Sequence, residues 1–252
     1  MPRGRDRLSA ARRSKQAIRE RIWTRMERER IARFPRPIHG RIPNFAGANE
    51  AAQRLADLPV FHHARVVKVN PDAPQLPVRR AALEAGKLVL MPAPRLRTGF
   101  VLIDPGRIGR LNLKAAASIS GAFRYGRELD LDDLPRPDLI VAGSVAVAPN
   151  GARIGKGEGY SEMEFAILRE LGLADDRTPI ATTVHDVQVV KAIALEPYDV
   201  RVDLVVTPTR VIRTRARQSR PQGLLWDHIT DDKLEEMPLL QRLAERRRRA
   251  GS

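Results

Sequence analysis

Apolar positions along the chain follow two patterns, one typical of helices and one typical of buried strands. Between residues 14 and 31, apolar side chains recur at helical spacing, at Ile18, Ile22 and Met26, which predicts an amphipathic helix. Later apolar runs show little polar alternation, as expected for strands buried on both faces of a parallel sheet. We predict strands over residues 64–69, 88–91, 139–147, 180–184 and 202–206.

Helical segments separate these runs, at residues 46–58, 78–85 and 162–171. The alternation predicts an α/β fold with three layers, in which a mostly parallel sheet carries helices on both faces. Ligand sites in such sheets lie beyond the carboxyl ends of the strands. We expect one domain over residues 14–230, a basic extension over 1–13, and a basic C-terminal tail over 231–252 that forms an exposed helix with a frayed end.

The charge balance favours an anionic partner. The chain carries a formal net charge of +15, and residues 1–36 hold 13 Lys or Arg residues against 4 Asp or Glu residues. A phosphorylated small molecule, a polyglutamylated cofactor and nucleic acid all remain open. The absence of cysteine excludes a thiol nucleophile and a thiolate metal site. No apolar run reaches the roughly 20 residues of a membrane span, so we expect a soluble, cytoplasmic protein with no membrane partner.

A glycine-rich loop at residues 150–160 carries the strongest chemical signal. Gly155, Gly157 and Gly159 alternate between an apolar strand and a helix, an arrangement that lets backbone amides approach a phosphate. Arg153 and Lys156 add positive charge. The spacing is neither that of a Rossmann dinucleotide loop nor that of a P-loop. A tight turn without a ligand remains the alternative reading of the glycines alone.

The loop Arg153-Ile-Gly-Lys-Gly-Glu-Gly-Tyr160 resembles the signature of 5-formyltetrahydrofolate cyclo-ligases, Arg-Leu-Gly-x-Gly-x-Gly-Tyr. Lys15-Gln-Ala-Ile-Arg19 is similar to an N-terminal family motif, and residues 86–92, 197–207 and 223–226 are similar to later ones. The resemblance runs from about residue 14 to 226 and is closest to the methenyltetrahydrofolate synthetase domain-containing branch. It implies a cyclo-ligase-like α/β fold, with Rossmann-like layering.

The resemblance also implies a reaction: ATP and Mg²⁺ convert a reduced folate, 5-formyltetrahydrofolate, into 5,10-methenyltetrahydrofolate, with release of ADP and phosphate. Lys15 and Arg19, one helical turn apart, would bind ATP phosphates. Arg153 and Lys156 would be the catalytic residues, and Tyr160 would contact both nucleotide and substrate. The loop residues implied in ATP binding are Arg153, Ile154, Gly155, Lys156, Gly157, Glu158, Gly159 and Tyr160.

Two departures from the family pattern concern the metal and the folate. Where the family loop ends in a metal-binding Asp, this chain has Glu162, and we expect Glu162 and Asp199 to bind Mg²⁺. Asp199 can equally be a turn residue. The family's Glu-Val-Asp-Thr segment on the folate side is missing, and Asp72 is the candidate substrate-binding residue in its place.

Two other functions remain open at this stage. One is a cyclo-ligase-like protein that lacks this activity and binds another ligand. The other is non-specific nucleic-acid binding through the basic ends, although few aromatic residues accompany the basic runs. The sequence does not indicate an oligomeric state.

Overall fold

A computed structural model describes residues 3–214 and 220–250 of the chain. The α-helices in this part are α1 (Arg3–Arg28), α2 (Ala48–Ala56), α3 (Pro59–His63), α4 (Leu76–Glu84), α5 (Leu113–Ala116), α6 (Ile119–Tyr125), α7 (Tyr160–Glu170), α8 (Asp231–Glu236) and α9 (Pro238–Ala250). Among the described helices, none is long and apolar enough to cross a bilayer.

The described strands are β1 (Val66–Val69), β2 (Leu88–Pro92), β3 (Phe100–Ile103), β4 (Arg127–Leu129), β5 (Leu139–Ala142), β6 (Ala146–Val147), β7 (Arg153–Ile154), β8 (Ile180–Thr183), β9 (Leu204–Val206) and β10 (Val211–Arg213). Eight of them form one sheet in the order β10-β9-β8-β5-β1-β2-β3-β4. The five central strands are parallel, whereas β10, β3 and β4 pair antiparallel at the edges. The predicted α/β fold with a mostly parallel sheet is confirmed.

Side chains of the central strands alternate between two buried faces. In β5, Ile140 and Ala142 pack in a cluster with residues of α7 and α9, whereas Leu139 and Val141 pack with residues of α2 and α4. This period-two alternation buries both faces of the sheet. It explains why the strand sequences are uninterrupted apolar runs, and it confirms the helices on both faces.

The predicted strand over residues 139–147 is divided into two. After β5 the chain turns at Gly143, where a Cβ atom would lie 2.8 Å from an oxygen of Asp72. Close approach of the neighbouring loop therefore requires glycine here. Beyond it, β6 leaves the large sheet and pairs with β7. Helix α1 packs on this hairpin through its predicted apolar face, with Ile22 and Met26 fully buried.

The C-terminal segment differs from the exposed tail expected from the sequence. Met237 and Leu240 are fully buried in the core that also contains α7. Two ion pairs hold α9 to the loop after β4, from Arg242 to Asp130 and from Arg246 to Asp132. The expectation of exposure was wrong because Met237, Leu239, Leu240 and Leu243 form an apolar stripe at helical spacing. The domain boundary at residue 231 stays a prediction.

Candidate functional site

The glycine loop is the shared wall of two cavities. One, of about 750 Å³, lies beyond the carboxyl ends of β1, β2 and β5, and we call it the sheet-end cavity; Asn70, Asp72, Arg95 and Gly143 are in its wall. The other, of about 890 Å³, lies between α1, α7 and the C-terminal segment, and we call it the basic cavity. Residues that border both are Gly155, Lys156, Glu158, Gly159 and Glu162.

Charge distinguishes the two cavities. Seven Lys or Arg residues and four Asp or Glu residues line the basic cavity, whereas four of each line the sheet-end cavity. The basic residues are contributed by α1, the glycine loop and α8: Arg12, Arg13, Lys15, Arg19, Arg153, Lys156 and Lys233. The basic cavity therefore suits an anion, and its volume is within the range of small-molecule sites.

The loop backbone adopts conformations that glycine allows. Gly157 has φ +114° and Gly159 has φ +76°, and residues with a Cβ atom rarely adopt such backbone conformations. Gly159 directly precedes α7, so the unpaired amides of the helix start lie at the end of the loop. Arg19 of α1 holds the other end, since its Nε donates a 2.8 Å hydrogen bond to the carbonyl of Gly155.

Arg153 is buried, and its guanidinium group connects the residue that follows β5 to the first turn of α7. Its Nη1 donates to the carbonyl of Gly143 at 3.1 Å, and its Nη2 donates to Oε1 of Glu162 at 2.7 Å. Its Nε is buried and makes no hydrogen bond within the described part of the chain. Because an unpaired guanidinium donor is costly to bury, this atom marks a place where a ligand oxygen would be stabilised.

Lys15 lies under the same cavity, bonded to two carboxylates. Its Nζ is 2.6 Å from Oε2 of Glu196 and 2.6 Å from Oδ2 of Asp199. Burial raises the pKa of Asp199, and Lys15 offsets this only in part. Burial also raises the pKa of Glu196, but hydrogen bonds from Lys15 and Tyr198 leave that pKa below its usual range. Lys15, Arg19, Arg153 and Asp199, predicted from three motifs, are thus gathered around one cavity.

Asp72 lies in the sheet-end cavity, away from Lys15. Burial raises the pKa of Asp72 against the opposing charges of Lys156, Arg79 and Lys68. Arg79 of α4 fixes this loop, because its buried guanidinium donates to the carbonyls of Asn70 and Asp72. Burial lowers the pKa of Arg79 to about 10.

A buried charge cluster that was not predicted from the sequence lies at the base of the sheet-end cavity. Lys68 of β1 forms an ion pair with Glu164 of α7, and Asn70 bonds to both. Burial raises the pKa of Glu164 although Lys68 opposes this. The signal was available, because a lysine inside the apolar run Val-Val-Lys-Val requires a buried partner.

The remaining predicted residues occupy the junction of the two cavities. Lys156 Nζ lies 2.7 Å from Glu158 Oε2. Tyr160, the first residue of α7, lines the sheet-end cavity, and its hydroxyl donates to Glu236 Oε1 at 2.6 Å. Ile154 is buried in β7 and borders the basic cavity.

The carboxylates of the basic cavity fit the demands of Mg²⁺. Glu162 and Asp199 both line it. Among the described residues, Glu196 Oε1 is a buried acceptor without a hydrogen bond, with Arg12 Nε 4.0 Å away. The described residues contain no group of three His, Cys, Asp or Glu that could hold a metal on its own. Mg²⁺ usually takes one or two carboxylates and completes its shell with substrate phosphates and water. The arrangement therefore suits a metal that arrives with a phosphate ligand.

Comparison with known proteins yields relatives along most of the chain. It is 46% identical over 243 residues to a methenyltetrahydrofolate synthase domain-containing protein of Mus musculus, and 44% identical over 243 residues to the Homo sapiens protein of that name. These alignments cover 94% of this chain, but only 65% and 63% of those proteins. The chain therefore spans just under two thirds of the length of the relatives.

A solved structure supports the fold. The 5,10-methenyltetrahydrofolate synthetase of Aquifex aeolicus superposes with a TM-score of 0.50 at 19% identity, covering 85% of this chain and 98% of that chain. The sequence profile of the 5-formyltetrahydrofolate cyclo-ligase family matches residues 11–208. With this match over most of its length, the chain belongs to the 5-formyltetrahydrofolate cyclo-ligase family.

Proposed function

We propose that the protein uses ATP and Mg²⁺ to convert 5-formyltetrahydrofolate into 5,10-methenyltetrahydrofolate. The observation that carries the proposal is the position of the glycine loop between a basic cavity and a second cavity of balanced charge. A phosphoryl group can pass between two ligands only where they meet. The shared wall provides that place, and family membership supports the class of substrate.

The chemistry requires an activated oxygen. The formyl oxygen on nitrogen 5 is a poor leaving group, so ATP first transfers its γ-phosphoryl group to this oxygen and ADP is formed. Nitrogen 10 then attacks the formyl carbon, the carbon–oxygen bond breaks, and phosphate leaves as the ring closes. The protein contributes positioning and charge stabilisation, which dominate in phosphoryl transfer.

ATP is assigned to the basic cavity. The loop amides, the unpaired Nε of Arg153 and the ammonium of Lys156 would stabilise the transferring phosphoryl group. Arg19 holds the loop through its hydrogen bond to the carbonyl of Gly155 and would lie beside the phosphates. Lys15 donates a hydrogen bond to Asp199 and would fix that carboxylate near the phosphates. Mg²⁺, held by Glu162 and Asp199, would neutralise phosphate charge when bound.

The folate is assigned to the sheet-end cavity. Asp72 lines this cavity, and Arg79 holds its backbone carbonyl. Its carboxylate oxygens would accept hydrogen bonds from N–H groups of a heterocycle. Tyr160 would contact the substrate where the cavity meets the loop. Each predicted site residue thereby has a place beside one of the two ligands.

The non-specific nucleic-acid interaction predicted from the basic ends gains no support. In α9, Arg242 and Arg246 are paired with Asp130 and Asp132, and Arg247 lies over the ring of Trp226. The cytoplasmic location stays a prediction.

The test measures whether ATP turnover depends on the folate. Purified protein with ATP and Mg²⁺ should release ADP and phosphate only after 5-formyltetrahydrofolate is added, in equal amounts. Release of ADP and phosphate at the same rate with and without the folate would contradict the proposal. ATP binding without any turnover would favour the alternative of a relative that lacks the activity.

A further inference from the structure

The part of the chain beyond the family match contributes to the basic cavity. The family profile ends at residue 208, yet one wall of this cavity is formed by residues 221–233. The apolar part of that wall consists of Leu224, Leu225 and Ile229, and its charged member is Lys233 of α8. Ile229 and Lys233 lie beyond both this profile and the motif resemblance, which ends at residue 226.

Contacts with α7 and the core fix the wall in place. Glu170 of α7 accepts hydrogen bonds from the amide of Leu224 and from Nε1 of Trp226, each at 3.1 Å. Met237, which follows α8 directly, is fully buried. An element held at both ends in this way presents Lys233 to the cavity in a defined position.

Lys233 meets the start of α7 at the end of the glycine loop. Its Nζ lies 2.7 Å from Oε2 of Glu236, 3.4 Å from the hydroxyl of Tyr160 and 4.4 Å from the centre of that ring. Its side chain is 31% exposed. Burial lowers the pKa of Lys233, but the bonds to Glu236 and Tyr160 outweigh this and raise it overall. Lys233 thus carries a lasting positive charge at the cavity wall.

We propose that Lys233 is a positioning residue for the triphosphate of the nucleotide, so that α8 completes the ATP site. The inference rests on the proposed function, because it takes the basic cavity as the place of ATP. Glu236 and the Tyr160 ring hold the ammonium group, and the ammonium attracts phosphate oxygens toward the glycine loop. A Lys side chain suits this role as a compact charge on a flexible stem.

A purely structural role would have a different signature. If Lys233 served only as the ion-pair partner of Glu236, removing either residue would have the same effect. If the charge of Lys233 attracts the triphosphate, removing Lys233 weakens Mg-ATP binding, whereas removing the charge of Glu236 leaves binding unchanged or strengthens it. Lys233→Met removes the positive charge, whereas Glu236→Gln removes a neighbouring negative charge and keeps an acceptor for the Tyr160 hydroxyl.

The experiment is a calorimetric titration of Mg-ATP into folded parent and variants, with thermal unfolding of each as a check. We expect Lys233→Met to raise Kd about tenfold, as for the loss of one charge-assisted contact. Lys233→Arg should stay near the parent, and Glu236→Gln should bind as well as the parent or better. Arg242→Met is the control, since it loses an ion pair of α9 outside both cavities.

Two results would overturn the inference while leaving the proposed function intact. One is equal Kd values for the parent and Lys233→Met; the other is equal weakening by Lys233→Met and Glu236→Gln. No binding of Mg-ATP by the folded parent would instead overturn the proposed function, and the inference with it.

Discussion

Asp72 is a half-buried acid whose ionisation opposes folding. Because burial raises its pKa, the folded state binds this proton more tightly than the unfolded state. Above the raised pKa the ionised carboxylate lowers the free energy of unfolding, and the cost disappears as the pH falls through that pKa. Ionised Asp72 therefore lowers the stability of the folded protein, a cost that is common at residues that bind a ligand.

We predict that Asp72→Asn raises the free energy of unfolding at neutral pH, and that the gain shrinks as the solution becomes acidic. The same variant should raise KM for the folate. Denaturant unfolding over a pH series measures the first effect. The exposed residue Asp227 provides the control Asp227→Asn. A constant difference between Asp72→Asn and the parent across the series would be evidence against the assignment.

Lys15 neutralises two carboxylates that are themselves almost inaccessible. Removing its ammonium takes the bonded cation from Asp199 and leaves Glu196 with Arg12, whose Nε lies 4.0 Å from Oε1. Breaking a buried pair from one side costs about 3 kcal/mol or more. We predict that Lys15→Met lowers Tm, lowers turnover on the order of 10²-fold, and gains more thermal stability from Mg²⁺ than the parent does. If Mg²⁺ stabilises both equally, these carboxylates do not face the metal.

The glycine loop is an element whose shape depends on particular residues. Gly157 has φ +114°, whereas the φ of Gly155 is not positive and a Cβ there would meet only Nη1 of Arg153, at 3.7 Å. We predict that Gly157→Ala lowers the free energy of unfolding by about 1–3 kcal/mol, while Gly155→Ala stays near the parent. Equal effects of the two substitutions would show that the loop conformation does not depend on glycine.

Prediction of elements succeeded where one interaction determines the pattern. The apolar stripe of α1 was visible because packing of one helix face imposes the helical period. The runs of β1, β2, β8 and β9 were visible because burial of both strand faces makes them continuously apolar. The break after β5 was not visible, because it arises from the contact of Gly143 with Asp72, 71 residues earlier in the chain. Strand β3 was missed although Phe100-Val-Leu-Ile103 is an apolar run of the same kind.

At the scale of the whole molecule, α8 and α9 belong to the main core. Leu240 is fully buried, whereas Leu111 is 98% exposed. We predict that Leu240→Ala lowers the free energy of unfolding by about 2–5 kcal/mol, with Leu111→Ala as the near-neutral control. Denaturant unfolding measures both. A change below about 0.5 kcal/mol for Leu240→Ala would mean that the C-terminal helices unfold independently of the sheet.

The candidate site was predictable only in part. The glycine loop and its cationic residues could be recognised in the sequence, because phosphate binding requires glycines and cations at particular spacings. The ion pair of Lys15 with Asp199 depends on how α1 packs on the β6–β7 hairpin, and that of Lys68 with Glu164 depends on how α7 packs on the large sheet. These pairings link residues far apart in the chain, and no local pattern contains them. The sequence did not indicate Lys233, because its place at the cavity depends on how the C-terminal segment packs against the core.

The most direct test of the account is the formation of the product. Purified protein is mixed with 5-formyltetrahydrofolate, ATP and Mg²⁺, and the absorbance of the methenyl chromophore is followed, with ATP omitted in a parallel sample. The account predicts ATP-dependent formation of 5,10-methenyltetrahydrofolate, and on the order of 10²-fold slower formation by Arg153→Ala. Folded protein that binds both ligands and yet forms no methenyl product would contradict it.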